Sequence, residues 1–248
     1  MKNIKLVLMY EGTGYFGFAS QRDVPTVEGC LKRSLKNLYS GDVPVVGASR
    51  TDRGVHALGQ VVSFKVGPKI ETGDFPGALN FLLPADIRIL SSEEVTCDFH
   101  ARFSARGKEY CYSVFVGREI PFNLRNYAHH VRRELDVPAV NCAASHLIGE
   151  HDFTSFAQEI IGCPTRRIES IKVSEKVETM GCLLEFHFRG NGFLYKMVRT
   201  IMGTLIEVGH GKKKPDEVYE ILKARDRKRA GVTAPPHGLC LIGVNYGK

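Results

Sequence analysis

The sequence of 248 residues lacks the patterns that would place it in a membrane or in a secretion pathway. No apolar run approaches the roughly 20 residues that a membrane-spanning helix needs. The first apolar run, Leu6–Tyr10, is too short for the core of a signal peptide and leads into a glycine-rich loop. We therefore expect a cytoplasmic protein that does not associate with membranes.

Paired cysteines are also missing. The seven cysteines are an odd number, they lie far apart, and no C-x-x-C motif occurs. This pattern argues against a disulfide framework and against a zinc site, and it favours reduced cysteines. His129, His130 and His151 do not show the H-x-x-x-H spacing of metal ligands on one helix face. We expect no bound metal.

The net charge of +7 is distributed unevenly along the chain. Residues 1–104 have a net charge of +1, whereas residues 105–248 have +6, and the segment 189–229 alone accounts for +6. A local basic patch suggests a polyanion partner, RNA or DNA first. A solvated charged face would show the same composition. The candidate contacts to an RNA backbone are Arg53, Lys196, Lys212, Lys213 and Lys214.

Three glycines near the start, Gly12, Gly14 and Gly17, fit the G-x-G-x-x-G pattern of dinucleotide sites. That fingerprint requires a helix that begins within the motif, so that its N-terminus meets the pyrophosphate. Here the polar stretch Ser20–Thr26 follows, and Thr26 is a good N-cap for a later helix. We therefore expect neither a nucleotide nor any other cofactor.

One acidic residue, Asp52, lies in the stretch Gly47–Gln60, which reads G-A-S-R-T-D-R-G-V-H-A-L-G-Q. A short run of β-branched residues precedes this stretch, and a second one follows it. Arg50 and Arg53 flank it, and Gly54 can adopt the positive φ of a tight turn. An acid on a loop between two strands is placed for chemistry rather than for packing. An Asx turn with a surface ion pair is the alternative that the pattern leaves open.

Two further candidates lie in the second half of the chain. Tyr110 belongs to the alternating stretch Lys108–Val116, where aromatic residues can simply fill one face of a sheet. Arg199 belongs to a predicted helix, Phe193–Val208, and lies about 140° from the centre of its apolar stripe. It can reach a cleft or the solvent.

The order of elements predicts an α+β fold with two related halves, residues 1–104 and 105–248. Each half shows a strand, a helix, paired strands and a second helix. We expect antiparallel or mixed sheets flanked by helices, joined around a central basic catalytic cleft.

Several stretches of the sequence resemble motifs of the tRNA pseudouridine synthase A family, and together they cover nearly the whole chain. S-R-T-D-R-G-V-H-A is similar to the family's G-R-T-D-x-G-V-H-A, with Ser49 in place of glycine. The opening loop resembles Y-D-G-T-x-F-x-G-W-Q-x-Q but departs from it at Glu11 and over Phe18–Gln21. Further similarities are F-H-A-R-F, H-D-F-T-S-F, G-N-G-F-L-Y-K-M-V-R and A-G-V-T-A-P-P-H-G-L.

This resemblance implies an enzyme that isomerises uridine to pseudouridine in the anticodon arm of tRNA, at positions 38 to 40, by flipping out the target nucleotide. It implies that Asp52 is catalytic, that Arg199 pairs with it, and that Tyr110 stacks on the base or accepts a proton. Arg50, Tyr110 and Leu239 are the implied contacts to the substrate. The resemblance also implies a homodimer without a cofactor.

Two questions stay open at the level of sequence. Asp52 can attack C1′, attack the base, or remove a proton from the sugar. A tRNA-binding module without chemistry would show the same basic segment and the same aromatic residues, and it is the alternative function.

Overall fold

A computed structural model describes residues 1–247 of the chain, which form both strands and helices. The helices are α1 (Val27–Tyr39), α2 (Phe75–Leu82), α3 (Val137–Ser145), α4 (Met197–Gly209) and α5 (Glu217–Ala224). The strands are β1 (Lys2–Tyr10), β2 (Val46–Gly47), β3 (His56–Val66), β4 (Ile87–Val95), β5 (Gly107–Val116), β6 (His129–Val131), β7 (Gly149–Asp152), β8 (Thr165–Glu178), β9 (Gly181–Gly190) and β10 (Leu239–Asn245). No helix in residues 1–247 is long and apolar enough to cross a membrane.

The chain divides into two compact units. The first unit contains residues 1–106 together with the C-terminal residues from Cys240 onward, and the second contains Gly107–Leu239. The sequence-based division after residue 104 assigned the C-terminal residues to the second half. The difference arises because Cys240 and Leu241 pair with His56 and Ala57 of β3, so that β10 joins the first sheet.

The first unit has a mixed sheet in the order β4-β1-β3-β10. The β1 strand pairs antiparallel with both β3 and β4, β2 pairs antiparallel with β3, and β10 runs parallel to β3. Thr26 caps α1 as the sequence predicts, because its side chain accepts a hydrogen bond from the backbone N–H of Gly29. Phe75 of α2 packs against Tyr39 of α1 and Phe64 of β3.

In the second unit, the strands pair in the order β6-β5-β9-β8-β7. The β9 strand pairs antiparallel with β5 and with β8, β7 pairs antiparallel with β8, and β6 runs parallel to β5. Helix α4 is buried along most of its length. Asp136 caps α3 as predicted, by accepting a hydrogen bond from the N–H of Ala139 at 2.9 Å.

The predicted α+β class, with mixed sheets and flanking helices, is confirmed for each unit. One helix differs from its prediction. The predicted helix Phe193–Val208 begins only at Met197, because Lys196 adopts a left-handed conformation with φ of 59° and forms a turn with Tyr195. Arg199 is therefore in the first turn of α4 rather than in its middle.

Candidate active site

Asp52 lies on the loop between β2 and β3, in a tight turn. The backbone N–H of Val55 donates to the carbonyl of Asp52 at 3.1 Å, and Gly54 has φ of +78°, which a residue with a Cβ rarely adopts. The Asp52 side chain is half-buried, whereas Arg50 and Arg53 on either side are exposed. The turn thus presents one carboxylate between two guanidinium groups.

A buried side chain from β3 holds the start of this loop. Gln60 is fully buried, and its amide both donates to the carbonyl of Ser49 at 2.8 Å and accepts from the N–H of Ser49 at 3.2 Å. The same amide donates to the Tyr10 hydroxyl, which lies 2.8 Å from the Thr51 hydroxyl. The residues just before Asp52 are therefore fixed by β1 and β3.

The glycine-rich loop after β1 holds the other side of the turn. Phe18 donates to the carbonyl of Thr51 at 3.1 Å, and Gly54 donates to the carbonyl of Tyr15 at 3.3 Å. A Cβ on Gly17, which has φ of +100°, would lie 2.7 Å from the carbonyl oxygen of Thr51. A Cβ on Gly12 would lie 2.0 Å from the carbonyl oxygen of Val55. These glycines are required by close packing against the Asp52 loop, and the first helix begins only at Val27.

Tyr15 anchors the glycine-rich loop itself. Its hydroxyl donates to the carboxylate of Asp86 at 2.6 Å. Burial raises the pKa of Tyr15 well above its usual range, and the Asp86 carboxylate raises it further. The phenol therefore stays protonated and acts as a donor at physiological pH.

In the second unit, Tyr110 lies on the face of β5 that packs towards α4. It is 7% exposed, and its ring meets Phe193 edge-on with the ring centroids 5.3 Å apart. Two residues further along the strand, the hydroxyl of Tyr112 donates to the carbonyl of Pro235 at 2.9 Å. Burial raises the pKa of Tyr112, and the positive charge of Arg199 acts in the opposite direction.

Arg199 forms hydrogen bonds with the segment that contains residues 230–239. The Nε atom of Arg199 donates to the carbonyl of Ala234 at 2.9 Å, and the N–H of Ala234 donates to the carbonyl of Arg199 at 3.0 Å. Since both bonds join the same two residues, the start of the Arg199 side chain has a defined direction. Neither Tyr110 nor Arg199 is an isolated surface group.

The same segment packs closely along α4 and leads to Leu239. Gly231 donates to the Thr204 hydroxyl at 2.9 Å, and a Cβ on Gly203 would lie 1.6 Å from the carbonyl oxygen of Val232. Gly238 lies against the Tyr112 ring, where a Cβ would approach within 2.9 Å. Leu239 follows at once and is 6% exposed. The motif A-G-V-T-A-P-P-H-G-L is thus a strap along α4 that positions Leu239.

The basic side chains of residues 189–229 fall into two groups. The first group consists of the four lysines that the sequence indicates as RNA contacts. Lys212 and Lys214 have exposed side chains, whereas Lys213 forms an ion pair with Glu207 at 3.6 Å and Lys196 lies over the ring of Tyr195. A second group serves the fold, because its members bind carboxylates or backbone carbonyls: Arg189 with Glu109, Arg225 with Asp152, and Arg227 with Gly231. The composition of the segment therefore overstates the charge available to a polyanion.

The structure places the predicted site residues in two sets. Arg50, Asp52 and Arg53 share one loop of the first unit, and Tyr110, Arg199 and Leu239 lie around α4 and β5 in the second. The pairing of Arg199 with Asp52 and the central cleft stay predictions. Within residues 1–247, no group of three or more His, Cys, Asp or Glu side chains is arranged to hold a metal ion.

Three residues that hold the site were not identified from the sequence: Tyr10, Thr51 and Gln60. A signal for Gln60 was present, because a polar amide stands within the apolar stretch Val55–Phe64 of a buried strand. Buried amides require hydrogen-bond partners, which only the loop beside the strand could supply. The roles of Tyr10 and Thr51 depend on pairing across the sheet and have no local signature.

Comparison with known proteins identifies relatives of this chain. A family model described as tRNA pseudouridine synthase matches residues 6–104 and 143–247. The chain is 42% identical to tRNA pseudouridine synthase A 2 of Clostridium perfringens, over 99% of this chain and 100% of that protein. It is 43% identical to tRNA pseudouridine synthase A of Acetivibrio thermocellus, over 99% and 100%, and 46% identical to that of Halalkalibacterium halodurans, over 96% and 90%.

The fold, the matched motifs and these relatives define an RNA-modifying isomerase, a class of enzyme that converts uridine to pseudouridine. The chain belongs to the tRNA pseudouridine synthase family. The resemblance noted in the sequence is confirmed over almost the full length.

Proposed function

We propose that this protein forms pseudouridine at positions 38 to 40 in the anticodon arm of tRNA, with Asp52 as the catalytic carboxylate. The observation that carries the proposal is the support around Asp52: side chains from β1 and β3 and the backbone of the glycine-rich loop all hold its turn. Such support restricts the position of one side chain, which catalysis requires more than binding does.

The reaction is an isomerisation, so its atoms and electrons balance without a co-reactant. The bond from C1′ to N1 breaks, the base turns, and a bond from C1′ to C5 forms. The hydrogen on C5 leaves as a proton to water, and N1 takes up a proton. The ring atoms cannot be reached inside a stacked helix, so the target nucleotide must be flipped out.

Each residue of the site has a proposed role in this reaction. An ionised Asp52 faces the electron-poor sugar carbon or the base, as the carboxylate of a glycosidase does. Arg199 pairs with Asp52, Tyr110 stacks on the base or accepts the C5 proton, and Leu239 contacts the base. Arg50 binds the substrate beside Asp52, and Lys212 and Lys214 bind phosphates.

Two further parts of the proposal concern the state of the protein. We propose that it acts as a homodimer, as the family resemblance implies, and that it works in the cytoplasm. All seven cysteines are free in residues 1–247, which agrees with a reducing compartment. Light scattering of the purified protein with and without tRNA measures the oligomeric state directly.

The test uses unmodified tRNA that carries tritium at uridine C5, incubated with wild type and with Asp52→Asn. Wild type should release tritium to water without NAD, ATP or added metal, and in the presence of EDTA. Asp52→Asn keeps the size of the side chain and removes the anion, so release should stop while tRNA affinity stays close to wild type. Nucleoside mapping of the product should place pseudouridine at positions 38 to 40.

Asp23→Asn is the matched control. Asp23 is an exposed residue with φ of 61°, a conformation that asparagine also tolerates, so its release rate should equal that of wild type. Release by Asp52→Asn at the wild-type rate would remove Asp52 from the chemistry. Binding of tRNA without release by the wild-type protein would support the alternative of a non-catalytic tRNA-binding module.

A further inference from the structure

An aromatic ring and a guanidinium group stack directly beside Asp52. The Cζ atom of Arg53 lies 4.2 Å from the centroid of the Phe16 ring. Phe16 is 37% exposed, and Arg53 is exposed as well. Such a contact at the surface contributes only about 0.5–1 kcal/mol to folding. The pair therefore presents a flat, positively charged surface to the solvent. Arg53 directly follows Asp52, the proposed catalytic residue, in the sequence.

The backbone on both sides of the pair is fixed. Phe16 donates from its N–H to the carbonyl of Pro25 at 2.9 Å, and its own carbonyl accepts from the Gln21 amide at 2.8 Å. The neighbouring bond from Gly54 to Tyr15 joins the loop of Phe16 to the loop of Arg53. The backbone that carries the ring and the guanidinium is thus fixed before any ligand arrives, which lowers the entropic cost of binding.

The guanidinium is not engaged elsewhere. Among residues 1–247, Arg53 forms no ion pair and no hydrogen bond, and its contact is with the Phe16 ring. Both residues also occupy positions for which the family motifs specify no residue type. Phe16 is the x before G-W-Q, and Arg53 is the x after R-T-D. A planar cation backed by an aromatic ring is suited to stack on a nucleobase, since every base has a π-face.

We propose that Phe16 and Arg53 form a stacking platform for an unpaired base of the tRNA, the neighbour of the nucleotide that enters the Asp52 site. The inference rests on the proposed function and deepens it. The base lies on the open face of the guanidinium, so that Phe16, Arg53 and the base form three layers. The platform binds the loop in which the target uridine is flipped and contributes to substrate affinity rather than to the chemical step.

Two substitutions test the layers. Phe16→Leu keeps an apolar side chain and removes the ring, and Arg53→Lys keeps the charge and removes the plane. Each should raise KM for tRNA about fivefold or more, with kcat within about twofold of wild type. Phe16→Tyr should restore the wild-type KM. The matched control is Phe81→Leu in α2, an 88% exposed phenylalanine of the same unit, which should leave both constants unchanged.

The salt dependence of tRNA binding separates stacking from a phosphate contact. If Arg53 only contacts a phosphate, Arg53→Lys should bind tRNA as wild type does, and Arg53→Gln should lower the slope of log affinity against log salt by about one. If Arg53 stacks on a base, Arg53→Lys should bind more weakly with an unchanged slope. Wild-type affinity in Arg53→Lys would overturn the platform.

A fluorescence measurement makes the result independent of catalysis. The sequence contains no tryptophan, so Phe16→Trp introduces a single tryptophan, whose fluorescence is then followed, into the stack. Unmodified tRNA and oligouridylate should quench it, inorganic polyphosphate should not, and tRNA should quench the control Phe81→Trp far less. Quenching in an Asp52→Asn background supports the platform even where no pseudouridine forms. Equal quenching of the two tryptophans, or quenching by polyphosphate, would overturn the proposal while leaving the proposed function intact.

Discussion

Gln60 pairs with the backbone of Ser49 as a neighbouring strand would: its side-chain amide donates to the carbonyl of Ser49 at 2.8 Å and accepts from the N–H of Ser49 at 3.2 Å. Ser49 lies in the loop between β2 and Asp52. Because Gln60 is fully buried, its amide satisfies backbone groups that are shielded from water. The position of Asp52 therefore depends on the side chain of Gln60. This residue lies eight residues further along the chain, in the strand that directly follows the loop.

Gln60→Leu should destabilise the protein and lower turnover. Leucine fills the space of the amide but removes both hydrogen bonds to the buried backbone of Ser49, which costs about 1–3 kcal/mol. Urea unfolding measures the loss of stability, and tritium release measures turnover. Gln21→Leu, which removes a single exposed bond to Phe16, should cost less than about 0.5 kcal/mol. Equal stability of the two variants would contradict the role of Gln60.

Gly12→Ala and Gly14→Ala should differ sharply in stability, although both change a glycine of the same loop. A Cβ on Gly12 would lie 2.0 Å from the carbonyl oxygen of Val55, whereas a Cβ on Gly14 would meet nothing within 4 Å. Gly12→Ala should therefore lose about 1–3 kcal/mol or more through overpacking, and should displace the Asp52 turn. Gly14→Ala should unfold at nearly the wild-type urea concentration. Similar midpoints would show that the loop does not pack on the turn.

Arg199→Ala should lower kcat/KM by about 100-fold or more, the usual effect of removing a group that stabilises charge in the transition state. Arg199→Lys should recover little activity, because an ammonium group lacks the guanidinium fork that also donates to Ala234. Arg189→Ala removes an exposed arginine that pairs with Glu109, and should keep wild-type activity. Full activity of Arg199→Ala would refute the proposed pairing with Asp52.

The basic segment should contribute unequally to tRNA binding. Lys212→Gln and Lys214→Gln each remove an exposed cation, so each should lower the slope of log affinity against log salt by about one. Lys213→Gln should change the slope less, because Lys213 already pairs with Glu207 at 3.6 Å. Filter binding at several salt concentrations measures these slopes. Equal slopes for all three variants and wild type would place the RNA surface elsewhere.

Lowering the pH should reduce the stability of the protein through the protonation of His129 in the second unit. Burial, together with smaller contributions from the neighbouring His237 and His130, lowers the pKa of His129 to about 4. The unfolded chain binds this proton near pH 6.5. The contribution of neutral His129 to the free energy of unfolding is therefore complete above pH 6.5 and is lost as the pH falls towards 4. His129→Gln should unfold with a smaller shift in urea midpoint between pH 7 and pH 5. An unchanged shift would exclude His129 as the acid-sensitive group.

The family and the α+β class could be predicted from the sequence alone, and the candidate site residues were proposed from it. Local signals sufficed for these, because motifs such as S-R-T-D-R-G-V-H-A are contiguous and caps such as Thr26 and Asp136 act within one turn. The predicted start of the first helix after the N-cap Thr26 is confirmed, since α1 begins at Val27.

The contacts that support the Asp52 loop could not be predicted from local sequence. The bonds of Tyr10 to Thr51 and of Gln60 to Ser49 join elements whose register is set by the sheet, and the strap of Ala234 along α4 depends on close packing at Gly203. The start of α4 at Met197 follows from the left-handed Lys196, which propensity does not predict. The return of the chain's end to β3 likewise required a parallel pairing between residues far apart in sequence. Contacts of this kind depend on which surfaces meet, and a sequence pattern records only which residues could be buried.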